Sequence, residues 1–203
     1  KAVELSMFLS IPASLALVIG SEQIISALFG YGSFTEASVL NSSKALYYFG
    51  LGLPAFALIK VFSTFFFANH DTKTPFYISL VSVLLNILIS VYFFKEIGFI
   101  IIPIATTISS WFNSLTLFIF LKNKDLFSFN KIFLKQFIRI VFVSIMMGFF
   151  FNYLILFFEN QLSYTFSLKS AYLIFCVSLT IFFYLILSYF IKAFNYDDIK
   201  IKY

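Results

Sequence analysis

Charge is scarce in this sequence. Lysine, arginine, aspartate and glutamate together make up 11% of the 203 residues, where a soluble domain carries about 25%. Hydrophobic residues make up 61%, and the mean hydropathy is +0.98. So few charges would not keep a surface of this size in water, and the solvent implied is a bilayer. The single cysteine, Cys176, excludes a disulfide within the chain and a cysteine-rich metal site. Set in an apolar run, it reads as a small packing or lipid-facing residue. The single histidine, His70, stands in the turn "NHDTKTP" with only Asp71 close by, so it reads as a loop residue and no metal site is expected. No glycine-rich phosphate loop and no Ser/His/Asp set is visible, so an enzyme is not expected. Nor is there a basic stretch followed by a small-residue cleavage site, so the first apolar run is not a signal peptide. The chain starts at Lys1 and turns apolar almost at once, and we expect a fragment lacking its N-terminal part.

What is present is a series of long apolar runs. A hydrocarbon core about 30 Å thick needs roughly 20 helical residues. Six segments fit: 5–29 (interrupted by "GSEQ"), 45–68, 76–94, 98–121, 137–158 and 168–194. The breaks, at "GYGSFTEASVLNSSK", "NHDTKTP", "KEIG", "KNKDLFSFNK" and "ENQLSYTFSLK", collect Gly, Pro, Asn, Asp and Ser. Barrel strands would alternate over about ten residues, whereas these runs are continuous and longer. The expectation is an all-α integral membrane protein with six transmembrane helices.

Basic residues orient it. With six crossings, both ends and every second loop share one side. That side holds ten basic residues (Lys1, Lys73, Lys122, Lys124, Lys131, Lys135, Arg139, Lys192, Lys200 and Lys202). The other side holds three, Lys44, Lys95 and Lys169. The bias puts both ends in the cytoplasm. The net charge of +5 is thus a topology signal and not a nucleic-acid footprint. The stretch "KNKDLFSFNKIFLKQFIR" is also suited to lie along anionic lipid headgroups. The 32 phenylalanines, beside 13 lysines and one arginine, fit an AT-rich genome and carry no functional weight.

One lysine falls inside an apolar run. Lys60 lies eight residues before the end of its segment, about 12 Å at 1.5 Å per residue. At 100° per residue it shares a face with Ser63 and Thr64, while Leu58, Phe62, Phe65 and Phe66 lie opposite and read as lipid-facing. Two readings stand: a snorkelling or paired lysine, and a lysine facing a wet cavity where it attracts an anionic group. The next two segments carry polar stripes: Ser79, Ser82, Asn86 and Ser90, then Thr106, Ser109, Ser110 and Asn113. Joined by "KEIG", these helices are antiparallel neighbours. Their stripes either hydrogen-bond across the interface, line a hydrophilic cavity, or hold a monovalent cation at Asn86, Ser90 and Thr106; no carboxylate is present in them. The last two segments show no continuous polar stripe and are expected to meet lipid broadly. Pro12 and Pro54 are hinges or fixed kinks.

The segments "LSIPASLALVIGSEQIISALFGYGSFT" (9–35) and "YYFGLGLPAFALIKVFSTFFFANHDTKTP" (47–75) resemble the MurJ/MviN family of lipid II flippases, in the MOP exporter superfamily. The family pattern is an "LPA" helix, then "LF..G.F", then "GLPAF…KV…F(Y/F)A..DT(K/R)TP". The stretch from Gly98 to Phe118 also fits. The resemblance implies two six-helix lobes around a central cavity, followed by two further helices. On it, residues 1–122 are the last four helices of the second lobe, 123–136 a cytoplasmic basic linker, and 137–203 the extra pair with its tail. It further implies transport of a lipid-linked peptidoglycan precursor from the inner to the outer leaflet of the bacterial inner membrane by alternating access, with the polyprenyl tail in a groove of the extra pair. Its partners would be that precursor, membrane lipids and the absent first lobe. No cofactor is implied beyond a coupling monovalent cation or the membrane potential. Lys60, with Ser63 and Thr64, would line the substrate cavity. Asn86, Ser90 and Thr106 would stand where the family can hold a cation, although some relatives carry a carboxylate at the position of Ser90. A related polysaccharide-lipid or drug exporter, or a membrane scaffold subunit, are the other readings.

Overall fold

The computed structural model describes residues 1–124 and 131–193, and among them every regular element is a helix. Among the described residues, five apolar stretches are long enough to cross a membrane: Ala2–Ile19, Glu36–Ala68, Lys73–Asn123, Phe133–Phe157 and Lys169–Ile191. The third, 51 residues long, contains two helices that fold back on each other.

The first expected span is two helices, α1 (Ala2–Ile19) and α2 (Ser21–Phe29), parted at Gly20. Glycine is required there by crowding: a Cβ on Gly20 would lie 2.7 Å from the ring of Phe151. The break is thus also a point of close contact with the C-terminal pair. After a short turn, the Thr35 hydroxyl accepts a hydrogen bond from the Ser38 amide at 3.3 Å and starts α3 (Glu36–Ala68). The loop expected over 30–44 is therefore only 30–35. Its Ser- and Asn-rich second half is helical because a capped end with Glu36 in the first turn outweighs weak propensity. At 33 residues, α3 is about 50 Å long and exceeds the hydrocarbon core.

Helix α3 ends at Ala68; two residues on, His70 is in left-handed conformation (φ 58°), and the Asp71 amide donates to the Phe66 carbonyl at 3.0 Å. Helix α4 (Lys73–Ile97) then runs to Gly98, whose φ of 73° and ψ of −152° suit only glycine. One 3₁₀ turn at 98–100 leads into α5 (Ile101–Asn123), which returns along α4. The expected basic linker 123–136 lies partly outside the described residues, and its end is already helical in α6 (Lys131–Phe157). The one-turn helix α7 (Glu159–Leu162) and α8 (Lys169–Ile191) follow. Helix α8 ends on Lys192 (φ 52°), whose carbonyl accepts from Arg139 Nη1 at 3.2 Å. The tail from 194 onward lies outside the described residues.

Helix α3 is the hub, packed on α1 and α5; α5 also packs on α4, and α1 on α6, which pairs with α8. Val3, Met7, Leu58, Phe62, Phe66, Ile78, Leu117 and Leu121 form one core. The face of α3 read as lipid-facing is therefore internal: Leu58, Phe62 and Phe66 are buried against α1, α4 and α5. Periodicity separates the two faces of α3 but does not say which is covered, since lipid and a packed neighbour both favour apolar residues.

Both mid-helix prolines leave a carbonyl four residues earlier without its helical donor. Neighbouring helices supply replacements. Ser14 Oγ donates to the Gly50 carbonyl at 2.7 Å, opposite Pro54. Tyr184 Oη donates to the Phe8 carbonyl at 2.7 Å, opposite Pro12. Thr107 Oγ1 and Trp111 Nε1 donate to the neighbouring Tyr48 and Leu51 carbonyls at 2.6 and 3.0 Å. Tyr184→Phe should therefore cost about 1 kcal/mol, read as a lower melting temperature of the detergent-purified full-length protein. Tyr153→Phe, at an exposed tyrosine, should leave the melting temperature unchanged.

Candidate functional site

Lys60, Ser63 and Thr64 lie along one side of α3. Lys60 and Thr64 are exposed and Ser63 is half-buried. The side is polar because its opposite, Leu58, Phe62 and Phe66, is spent on the core. Thr64 Oγ1 is turned back onto the Val61 carbonyl at 2.7 Å. Among the described residues, no carboxylate lies within 4 Å of the Lys60 ammonium. This face offers an uncompensated cation on a helix long enough to cross a bilayer, and such a group costs free energy unless water or an anion meets it.

The stripes of α4 and α5 do face each other. They enclose, with Phe56 and Ile59 of α3, a polar cleft of about 270 Å³. Asn86 Nδ2 donates to Thr106 Oγ1 at 3.1 Å and to Ser109 Oγ at 3.3 Å. Asn113 Nδ2 donates to Ser79 Oγ at 3.4 Å. Ser82, Thr106, Ser109 and Ser110 also donate to carbonyls of their own helices. Of the expected trio, Asn86 and Thr106 meet. Ser90 does not line the cleft, and its buried Oγ has no hydrogen bond among the described residues. Among those residues there is also no cluster of three His, Cys, Asp or Glu side chains suited to a metal.

The turn from α3 to α4 is built on Asp71. Its Oδ1 accepts from the Thr74 amide at 3.0 Å, and its Oδ2 from the Thr74 hydroxyl at 2.7 Å. Asp71, one residue before the N-cap Thr72, thus satisfies a first-turn amide of α4, with Pro75 in the same turn, where no helical donor is lost. Lys124, just past α5, donates to Oδ2 at 2.5 Å and ties the hairpin's end to this turn. The Lys124 hydrogen bond, then the two from Thr74, hold the Asp71 carboxyl well below the usual carboxylate range.

Helix α8 departs from expectation. Lys169, Leu173, Cys176, Thr180, Tyr184 and Ser188 are all buried and recur every three or four residues. They make a continuous stripe toward α1, α2 and α6, mixed in polarity and therefore easy to miss. The opposite side, with Phe182, Tyr189 and Phe190, is open. Cys176 is a packing residue, fully buried. Between α1, α2, α6 and α8 runs an apolar groove of about 480 Å³, which Pro12, Ile24, Phe151, Thr180 and Tyr184 help to line. Lys169, read as an outer-loop lysine, is instead buried at the start of α8. Of its partners, Tyr164 is five residues away in the loop before α8, but Gly30 and Tyr31, in the turn after α2, are too remote in sequence to be signalled by periodicity.

The family model "Lipid II flippase MurJ" matches residues 1–173. The chain belongs to the MurJ family. A protein of Rhizobium meliloti (strain 1021) named "Probable lipid II flippase MurJ" is 39% identical over 118 residues, covering 58% of this chain and 22% of that protein. One of the same name from Buchnera aphidicola subsp. Schizaphis graminum is 28% identical over 204 residues, covering 97% of this chain and 38% of that protein. The solved structure "Lipid II flippase MurJ, inward closed conformation" superposes with a TM-score of 0.76 at 27% identity, over 94% of this chain and 38% of that one. This chain therefore spans between about a fifth and two-fifths of the length of these MurJ relatives. The match includes α3, the cleft and the Asp71 turn, and ends inside α8, at residue 173.

Because the folded state holds Asp71 ionised, its contribution to stability is complete above the ordinary carboxylate range, about pH 4, and fades as pH falls through the depressed value. Asp71→Asn should lower the melting temperature of the full-length MurJ-family protein at pH 7. The deficit should stay constant from about pH 5 to 8 and narrow below about pH 4, as followed by thermal unfolding across that range.

Proposed function

We propose that this chain is the C-terminal part of a flippase that carries a lipid-linked peptidoglycan precursor, lipid II, from the inner to the outer leaflet of the bacterial inner membrane. The observation that carries the reading is the family match over residues 1–173. The chain would cross the membrane six times, counting α4 and α5 separately, with both ends in the cytoplasm; the lysine distribution supports this orientation. Residues 1–122 would be the last four helices of a second six-helix lobe, 123–136 a basic linker on the cytoplasmic side, and 137–203 an added pair. The first lobe of the same protein would cover the open face of α3 across a central cavity.

In this reading Lys60 is the functional cation of the segment. It stands on an exposed face, lacks a carboxylate partner among the described residues, and suits a pyrophosphate-bearing headgroup. Ser63 and Thr64 continue that face. The groove between α1, α2, α6 and α8 suits the polyprenyl tail, which stays in an apolar environment while the headgroup crosses. The protein works as a transporter: binding energy is exchanged between two open states and no bond is made or broken. Asn86 and Thr106 could furnish two neutral oxygens to a monovalent cation, but without Ser90 or a carboxylate they serve better to hold α4 against α5. Coupling would then reside elsewhere in the full protein, in another ion site or in the membrane potential.

The test is transport by the full-length protein in a strain depleted of its own flippase. Lys60→Ala should reduce precursor flipping by about ten- to a hundred-fold at unchanged membrane level, the range for losing a hydrogen bond to a charged group, while Lys60→Arg retains most of it. Normal flipping by Lys60→Ala would overturn the role of this lysine. The 203-residue segment alone, reconstituted in vesicles, should flip no precursor.

A further inference from the structure

Lys169 is the most enclosed charge among the described residues, with 1% of its surface exposed. Its ammonium donates to the Gly30 carbonyl at 2.6 Å and the Tyr164 carbonyl at 2.7 Å. It also lies 4.4 Å from the ring centre of Tyr31 and 4.6 Å from that of Tyr164. No carboxylate lies within 4 Å of it among the described residues. A buried cation is tolerated only when carbonyl dipoles and π faces replace its water. Here one half of that shell comes from the turn between α2 and α3, and the other from the loop before α8. Parting the two segments would leave the ammonium half solvated, so the charge holds them together. Further bonds run the same way. Ser170 Oγ donates to the Ala27 carbonyl at 2.7 Å, Tyr164 Oη to the Phe34 carbonyl at 2.8 Å, and the Tyr31 and Ser170 hydroxyls are 2.5 Å apart. Gly30 permits the approach: a Cβ there would lie 3.1 Å from the ammonium.

This clasp sits at one end of the groove. Ile24 of α2 lines one wall, and Val177, Thr180 and Ile181 of α8 another. Toward its other end, Arg139 joins α6 to α8, and Phe8 of α1 packs with Ile140, Tyr184 and Ala193 and takes the Tyr184 hydrogen bond, so the clasp is the second of two fastenings between the pair and the lobe. We propose that Lys169 is a positioning residue for lipid transport: it fixes α8 to α2, so the C-terminal pair moves with the lobe and the groove keeps its width. The inference rests on reading the groove as the bed of the polyprenyl tail.

The experiment uses the full-length protein with Lys169→Met, which keeps the stem and removes the charge. Spin labels at the exposed positions 33 and 167 report the separation of the two loops, independently of transport. Flipping is measured in parallel, as is capture of undecaprenyl phosphate by a photoreactive group at position 181 in phosphatidylglycerol-containing vesicles. The expected result is a narrow distance distribution in the parent that broadens in Lys169→Met, with flipping and capture both falling about tenfold. A disulfide between cysteines placed at 27 and 170, in a Cys176→Ala background, should restore flipping to Lys169→Met, because a covalent link replaces the clasp. An unchanged distance distribution in Lys169→Met overturns the proposal. So does a broadened distribution with normal flipping, or a loss of flipping that the disulfide does not rescue. If the parent itself captures no undecaprenyl phosphate, the tail reading of the groove fails, and with it the transport role, while the distance still reports whether the clasp exists.

Discussion

A backbone carbonyl in hydrocarbon must have a donor, and this fold is arranged around two places where its own helix cannot provide one. Pro12 and Pro54 interrupt α1 and α3 in their middle turns. The replacement donors come from α1 itself, through Ser14, and from the most distant helix in the chain, through Tyr184. The first joins α1 to α3, and the second joins α1 to α8. Each proline therefore specifies a neighbour as well as a bend. Thr107 and Trp111 extend the pattern, bringing α5 onto the same opened stretch of α3. The close contacts at Gly50 and Gly52, where a Cβ would meet Leu17 and Thr107 at 3.1 and 3.0 Å, show how tightly the three helices converge there.

The helical class and the apolar stretches were legible in the sequence, because length and hydropathy are local properties. Helix ends were less so. The polar half of 30–44 reads as loop by composition, yet the Thr35 cap carries α3 through it. The facing stripes of α4 and α5 could be placed because a short connection forces the two helices together, so that pairing follows from counting residues back from the turn. Ser90 illustrates the limit of that counting: being on the right helix face did not bring it into the cleft.

The burial of Lys169 and the inward side of α3 were not legible, and for related reasons. Both depend on which remote segment lies opposite, and even Tyr164, five residues before Lys169, does not record that Gly30 and Tyr31 complete its shell. Lysine at a loop–helix junction reads as solvated unless one knows that two tyrosines and two carbonyls converge on it. Leu58, Phe62 and Phe66 look alike to lipid and to a packed helix. The stripe of α8 was not legible either, because it mixes Leu and Cys with Thr, Tyr and Ser and so stands out by neither polarity nor hydropathy.

The length of α3 has a mechanical meaning. From Pro54 back to Glu36 there are five turns of continuous helix, about 27 Å of rigid rod at 1.5 Å per residue. A change of about 10° at the proline would carry the tip through about 5 Å, by the geometry of a rod of that length. The turn that holds Tyr31 and Gly30 is attached to that tip. Any adjustment among the hydrogen bonds at Tyr48, Gly50 and Leu51 would therefore be magnified at the far end, where α1 and α2 along the arm and the Lys169 clasp beside its tip oppose it. Helix α3 has the form of a lever whose fulcrum lies where its backbone bonding is shared with its neighbours.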